Sequence, residues 1–117
     1  MNTIFYLKTC DTCKRILSEL PGLERFELID IKSQPITADQ LDQMYQLSGS
    51  YEKLFSKRAQ LYKELNLKEA NLDEAGFRKY LLEHYTFLAR PVIIFDHKIY
   101  IGNSAKNVEA VKAALAI

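Results

Sequence analysis

The sequence predicts an α/β protein built on a mixed sheet, in the order β-α-β, helical insert, β-β-α. Three observations carry that prediction. Runs rich in β-branched and aromatic residues stand near both ends of the chain, Thr3-Ile4-Phe5-Tyr6-Leu7 and Val92-Ile93-Ile94-Phe95. Apolar residues recur at helical spacing soon after the first run, at Cys13, Ile16, Leu17 and Leu20. The middle of the chain is helical in pattern.

Each element has its own signal. Pro21-Gly22 stops the helix that carries Cys13 to Leu20. Arg25 to Ile31 alternates in part, with Phe26, Leu28 and Ile31 apolar, and reads as a second strand. Because both strands read as buried and a helix joins them, the opening is a βαβ unit with parallel strands and a right-handed crossover. Pro35 precedes Thr37-Ala38-Asp39-Gln40, a Thr-x-x-Gln capping box, and Leu41, Met44 and Tyr45 share the helix face behind it. The polar break Ser48-Gly49-Ser50 separates this helix from Tyr51 to Leu65, which holds one or two short helices. Asp73 is an N-cap for a longer helix with Phe77, Tyr80, Leu81 and His84 on one face. Asp96-His97-Lys98 turns the Val92 to Phe95 strand back into a hairpin partner, Ile99-Tyr100-Ile101. Gly102-Asn103-Ser104 ends the sheet and caps a last helix whose Val108, Val111 and Leu115 face inward. This order is the thioredoxin-like topology, with a cysteine pair at the first strand-to-helix turn and a proline opening the third strand. A single domain over residues 1–117 is expected, with the helical insert at about residues 36–88.

Composition narrows the function. The 117 residues fit one ordinary domain, and 48% apolar with 26% charged residues excludes wholesale disorder. Sixteen basic and fifteen acidic side chains leave a net charge of +1, without the basic excess of a strong non-specific nucleic-acid binder. No direct nucleic-acid partner is expected. No run approaches the roughly 20 apolar residues that span a bilayer. Met1-Asn2-Thr3 lacks a basic segment, and Lys8 interrupts any signal-like apolar core. The expectation is a cytoplasmic protein without a membrane partner. Nothing in the sequence demands an oligomer, so a monomer is expected.

The two cysteines, Cys10 and Cys13, point to chemistry. A secreted disulfide scaffold spreads more cysteines along its chain, and a Cys-x-x-Cys ring closes too small a loop to be an effective staple. After a first strand in a βαβ context the pair is a redox signal. A thiol at a helix N-terminus faces backbone N–H groups and the positive end of the helix dipole, and both favour the thiolate. An ordinary thiol with a pKa of about 8.5 is only a few per cent ionised at neutral pH. Lys8, Lys14 and Arg15 flank the pair and push the same way. Cys10, ahead of the helix, is the expected exposed nucleophile. Cys13, in the first turn, is less accessible and suited to resolving a mixed disulfide.

Other readings of the pair stay open at this point. Half a zinc site would need further ligands, yet His84 and His97 have twelve residues between them where zinc fingers have three to five. Cys13 could instead be a core residue that packs on the helix face, leaving Cys10 as the reactive thiol. His84 reads as a packed or capping histidine and His97 as a solvated turn residue. No metal is expected.

With these residues in place, the chain resembles the arsenate reductase (ArsC)/Spx family of thioredoxin-like proteins over essentially its whole length. The resemblance rests on Phe5-Tyr6 through Cys10-Asp11-Thr12-Cys13-Lys14-Arg15, on Leu54-Phe55-Ser56-Lys57-Arg58, and on Arg90-Pro91-Val92-Ile93. It implies that Cys10 is the catalytic cysteine and that Pro91 is cis and packs near it. Arsenate reductases of this kind ring the cysteine with three arginines that bind the oxyanion. Arg58 and Arg90 match two of them. The third belongs just after the final hairpin, where this chain has Ile101-Gly102-Asn103, and Lys106 falls inside the last helix and is no replacement. That departure weakens the arsenate reading, since oxyanion affinity depends on stacked charge and bidentate donors. Without the resemblance, Arg58 reads equally as a surface ion-pair partner.

The resemblance therefore implies a thiol-dependent oxidoreductase with catalytic Cys10 and Cys13, anion-binding Arg58 and Arg90, and supporting Lys8, Thr12, Lys14 and Pro91. Its substrate is an oxyanion or a disulfide. No cofactor is bound, and glutathione or a thioredoxin/glutaredoxin system supplies the electrons. The alternative is an Spx-like regulator that uses the pair as a reversible disulfide switch and binds the C-terminal domain of the RNA polymerase α subunit. Against it, Ser50 stands where Spx proteins have a glycine at that contact.

Overall fold

The computed structural model describes residues 2–116. The chain forms two compact units, Met1–Gln34 with Arg90–Ile117, and Pro35–Ala89.

The first unit is built on a four-stranded sheet in the order β2-β1-β3-β4, with β1 at Thr3–Tyr6, β2 at Glu27–Asp30, β3 at Val92–Phe95 and β4 at Lys98–Ile101. β1 and β2 run parallel, joined through α1 (Asp11–Glu19), while β3 is antiparallel to both β1 and β4. The mixed sheet is the thioredoxin-like topology. Ile4 and Ile93 on one face of the sheet pack with Ile16, Leu17 and Leu20 at α1 and with Val108, Val111 and Leu115 of the last helix, Ala105–Leu115. Thr3, Phe5, Val92 and Ile94 point the other way in the period-two alternation and are buried as well. Asp96 and His97 both have positive φ, 51° and 64°, as a two-residue hairpin turn of matching twist requires. Ser104 caps the last helix by accepting the Asn107 N–H at 3.1 Å.

One strand departs from its sequence pattern. Of the apolar positions Phe26, Leu28 and Ile31, Phe26 and Ile31 are buried, but Leu28 is 42% exposed and Ile29 is buried instead. β2 is the outermost strand, so Leu28 lies beside Ile4 at the sheet's edge with little beyond it to pack against. Burial at an edge strand is set by cover from neighbouring elements, which alternation alone does not encode.

The second unit is helical: α2 (Ala38–Ser48), α3 (Tyr51–Leu54), α4 (Gln60–Glu64) and α5 (Glu74–Glu83), so the last helix of the chain is α6. The capping box forms in full, Thr37 accepting from the Gln40 N–H and Gln40 from the Thr37 N–H, both at 3.0 Å. Glu74 at the start of α5 accepts the first N–H groups of α3, from Tyr51 and Glu52. Asp42 of α2 takes a two-point contact from Arg78 of α5 and a bond from the Tyr51 hydroxyl. Phe55 packs among Tyr62, Phe77 and Phe87 at ring spacings of 5.0–5.8 Å. His84 is a capping residue: it is exposed at the end of α5, and its Nδ1 accepts the Thr86 N–H at 3.1 Å. Among the described residues no helix is long and apolar enough to cross a membrane.

Candidate functional site

The sheet places the cysteine turn and the Arg90-Pro91 segment side by side. β3 pairs with β1 through Phe5 and Val92, and continuing that antiparallel register brings Pro91 opposite Tyr6 and Arg90 opposite Leu7. The Arg90–Pro91 peptide bond is cis, and Pro91 is buried. Its carbonyl accepts the Gly102 N–H at 2.9 Å, tying it to the end of β4.

The turn after β1 is closed by the Cys10 N–H donating to the Leu7 carbonyl at 3.0 Å. Cys10 then takes the N-cap position of α1 with extended backbone, and its carbonyl accepts the Lys14 N–H at 3.1 Å. An N-cap side chain faces the donors of the first helical turn. Here that side chain is a thiol, partly open to solvent, while Cys13 one turn on is 0% exposed. No disulfide joins the two cysteines.

Their ionisation splits. Burial alone would push the Cys10 thiol up, but the Cys13 N–H and thiol, the Arg90 guanidinium and the Thr12 N–H outweigh it and hold Cys10 below the ordinary value. Cys13 is pushed up to about 11, chiefly by burial, which outweighs the opposing backbone bond from Leu7; the negative charge of Cys10 adds to the rise and Arg90 opposes it least. The pair therefore shares its protons unequally: Cys10 is the sulfur that ionises first, and Cys13 keeps its proton and donates to it. Chemically, this is an exposed nucleophile next to a protonated second sulfur, with a guanidinium close enough to favour charge on either.

The expected residues are placed as follows. Cys10, Thr12, Cys13, Arg90 and Pro91 belong to one unit and gather at one end of its sheet. Lys8, Lys14 and Arg15 are exposed on the turn and on α1, where water screens them, and Arg15 leans toward Glu19 at 3.9 Å. Arg58 is exposed in the helical unit, between α3 and α4. Lys106 is exposed in the first turn of α6. Two contributors had no sequence signal: the Leu7 backbone beside Cys13, and Asp30, whose carboxylate accepts the Lys8 N–H at 3.1 Å. An aspartate at a strand end is too common to mark a site. Among the described residues, no three His, Cys, Asp or Glu side chains are grouped to hold a metal ion.

Comparison with known proteins bears on the fold and the family. The arsenate reductase of Neisseria meningitidis (serogroup A) is 28% identical over 112 residues, covering 92% of this chain and 95% of that protein. The global transcriptional regulator Spx of Bacillus subtilis is 23% identical over 108 residues, covering 87% of this chain and 79% of the regulator. The solved arsenate reductase from Vibrio cholerae shares the fold, with a TM-score of 0.76 at 21% identity over 94% of this chain and 96% of that one. The ArsC family pattern matches residues 5–111, nearly the whole sheet unit and all of the helical one, and the chain belongs to the ArsC family.

Proposed function

We propose that the protein is a thiol-dependent oxidoreductase in which Cys10 is the nucleophile and Cys13 resolves. The observation that carries this reading is the unequal pair: a solvent-reachable sulfur at a helix N-cap, favoured toward ionisation, beside a fully buried thiol that keeps its proton. On a disulfide substrate, the Cys10 thiolate attacks one sulfur, the substrate S–S bond breaks, and one substrate thiolate leaves. Cys13 then gives up its proton and attacks the Cys10 sulfur, expelling the second substrate thiolate. The substrate gains two electrons and the pair becomes the Cys10–Cys13 disulfide. Two glutathione thiols, or a reduced thioredoxin or glutaredoxin, return the two electrons. An oxyanion would enter at the same first step, with Cys10 displacing hydroxide from its centre and Arg90 offsetting the charge. Arg58 enters only through the family resemblance, and Arg58→Ala tests it separately from the cysteine chemistry.

Turnover with glutathione and a mixed-disulfide substrate, and with arsenate, tests the reading. Cys10→Ser should abolish both activities. Retained turnover in Cys10→Ser would remove the proposal. A regulatory reading has its own support in the likeness to Spx, with both cysteines of a disulfide switch in place. Capture of the RNA polymerase α C-terminal domain by the oxidised but not the reduced chain would favour that role over the enzyme.

A further inference from the structure

A single carboxylate grips the turn that carries Cys10. β2 ends at Asp30, opposite Tyr6, and the ladder takes one more bond, from the Ile31 N–H to the Tyr6 carbonyl at 2.9 Å. Beyond that point the chain after β1 bends away toward Cys10. Lys8, the second residue of the Leu7–Cys10 turn, donates its N–H to Asp30 Oδ1 at 3.1 Å. The Ser33 hydroxyl donates to Oδ2 at 2.8 Å, and the Lys32 N–H reaches Oδ1 at 3.5 Å, so both carboxylate oxygens are held. The Gln34 N–H binds the Asp30 carbonyl at 2.8 Å and closes the turn on that side. These donors, led by the Lys8 N–H, keep the Asp30 carboxyl below the usual carboxylate range, so it is charged at neutral pH.

We infer that Asp30 is a positioning residue for the redox site, fixing the Leu7–Cys10 turn through the Lys8 N–H and so aiming the Cys10 sulfur at the donors of Thr12 and Cys13. This inference rests on the reading of Cys10 as the ionised nucleophile. The other charged and titratable groups about the turn are Lys8, Asp11, Lys14, Arg15, Lys32, Arg90 and Cys13, and a substitution at Asp30 alone removes none of them.

Position and charge can be separated. Asp30→Asn keeps an oxygen for the Lys8 N–H but loses the negative charge, whereas Asp30→Ala loses both. If Asp30 acts by position, only the alanine variant disturbs Cys10, and it makes the thiolate less stable. If Asp30 acted by its charge alone, both variants would make the thiolate more stable, since a nearby anion disfavours it.

The test is the pH profile of iodoacetamide alkylation at Cys10 in the full chain, with the adduct located by mass spectrometry. Asp30→Ala should move the inflection upward and slow alkylation at pH 7 by about fivefold to tenfold through the lost thiolate fraction. Asp30→Asn should stay within about twofold of the parent rate. Ser33→Ala frees one carboxylate oxygen and leaves the Lys8 bond, so it should shift the profile the same way by less, and it decides the matter should Asp30→Ala fail to fold. An unchanged profile in the folded variants overturns the inference, and so does a downward shift shared by Asp30→Ala and Asp30→Asn. A parent profile with the inflection of an ordinary thiol overturns the nucleophile reading itself, and the inference with it.

Discussion

Replacing Cys13 by serine separates the two sulfurs' roles. At about 11, the Cys13 thiol is ionised in only about one molecule in ten thousand at pH 7. Relative to an ordinary thiol that is a loss of about 300-fold in thiolate, of which the greater nucleophilicity of a more basic sulfur restores about 15-fold. The net handicap is about 20-fold. Against it stands proximity: even a modest effective concentration of about 1 M outruns a millimolar external thiol about a thousandfold, and well-oriented groups do far better. The Cys10 charge that helps to hold Cys13 up also disappears once Cys10 is tied in a mixed disulfide. Cys13 should therefore resolve faster than glutathione. With an aromatic disulfide that releases a coloured thiolate, the parent should release two equivalents per chain. Cys13→Ser should release one, at an initial rate within about threefold of the parent, because its hydroxyl still donates to Cys10. It should then hold the adduct until external thiol is added. The reasoning fails if Cys13→Ser releases a second equivalent unaided, or if the parent stops at one.

Two more outcomes follow from the same site. Arg90→Ala should raise the Cys10 inflection and slow alkylation at pH 7 by about threefold to tenfold, with Arg90→Lys in between, since the lysine keeps the charge but not the planar fork; equal rates in all three proteins would exclude the guanidinium. Cys13 also sets an alkaline limit on stability. Its folded pKa lies above the unfolded value, so below about 8.5 both states hold the proton and nothing is lost. Between there and about 11 the unfolded state sheds it first, and stability should fall by about 3 kcal/mol. Urea unfolding of the reduced chain across that range should show the fall, and Cys13→Ala should flatten it; a slope unchanged by that substitution would assign the alkaline loss to other groups.

Much of this was legible in the sequence because the signals were local. Thr37 and Gln40 form their capping box from four consecutive residues, and Cys13, Ile16, Leu17 and Leu20 bury the face their spacing predicts. The hairpin was readable from its flanking apolar runs although Asp96-His97 lacks the usual glycine. What escaped depends on distant partners. Leu28 is exposed because β2 has a neighbour on one side only. Asp30 matters through Lys8, which lies 22 residues earlier in the chain. The chemistry was visible as two cysteines at a strand-to-helix turn, and so was the order of their exposure, because Cys10 stands ahead of the helix and Cys13 on its apolar face; the Leu7 backbone contact to Cys13 was not, because nothing in the local pattern announces it.

The central claim is most directly tested by following thiolate absorbance near 240 nm against pH in the parent chain and in Cys10→Ser. The account predicts an inflection below the ordinary thiol value in the parent that vanishes in Cys10→Ser, leaving only Cys13 ionising at strongly alkaline pH. A parent curve in which both sulfurs ionise together in the ordinary range, or one in which the low inflection survives the loss of Cys10, would contradict it.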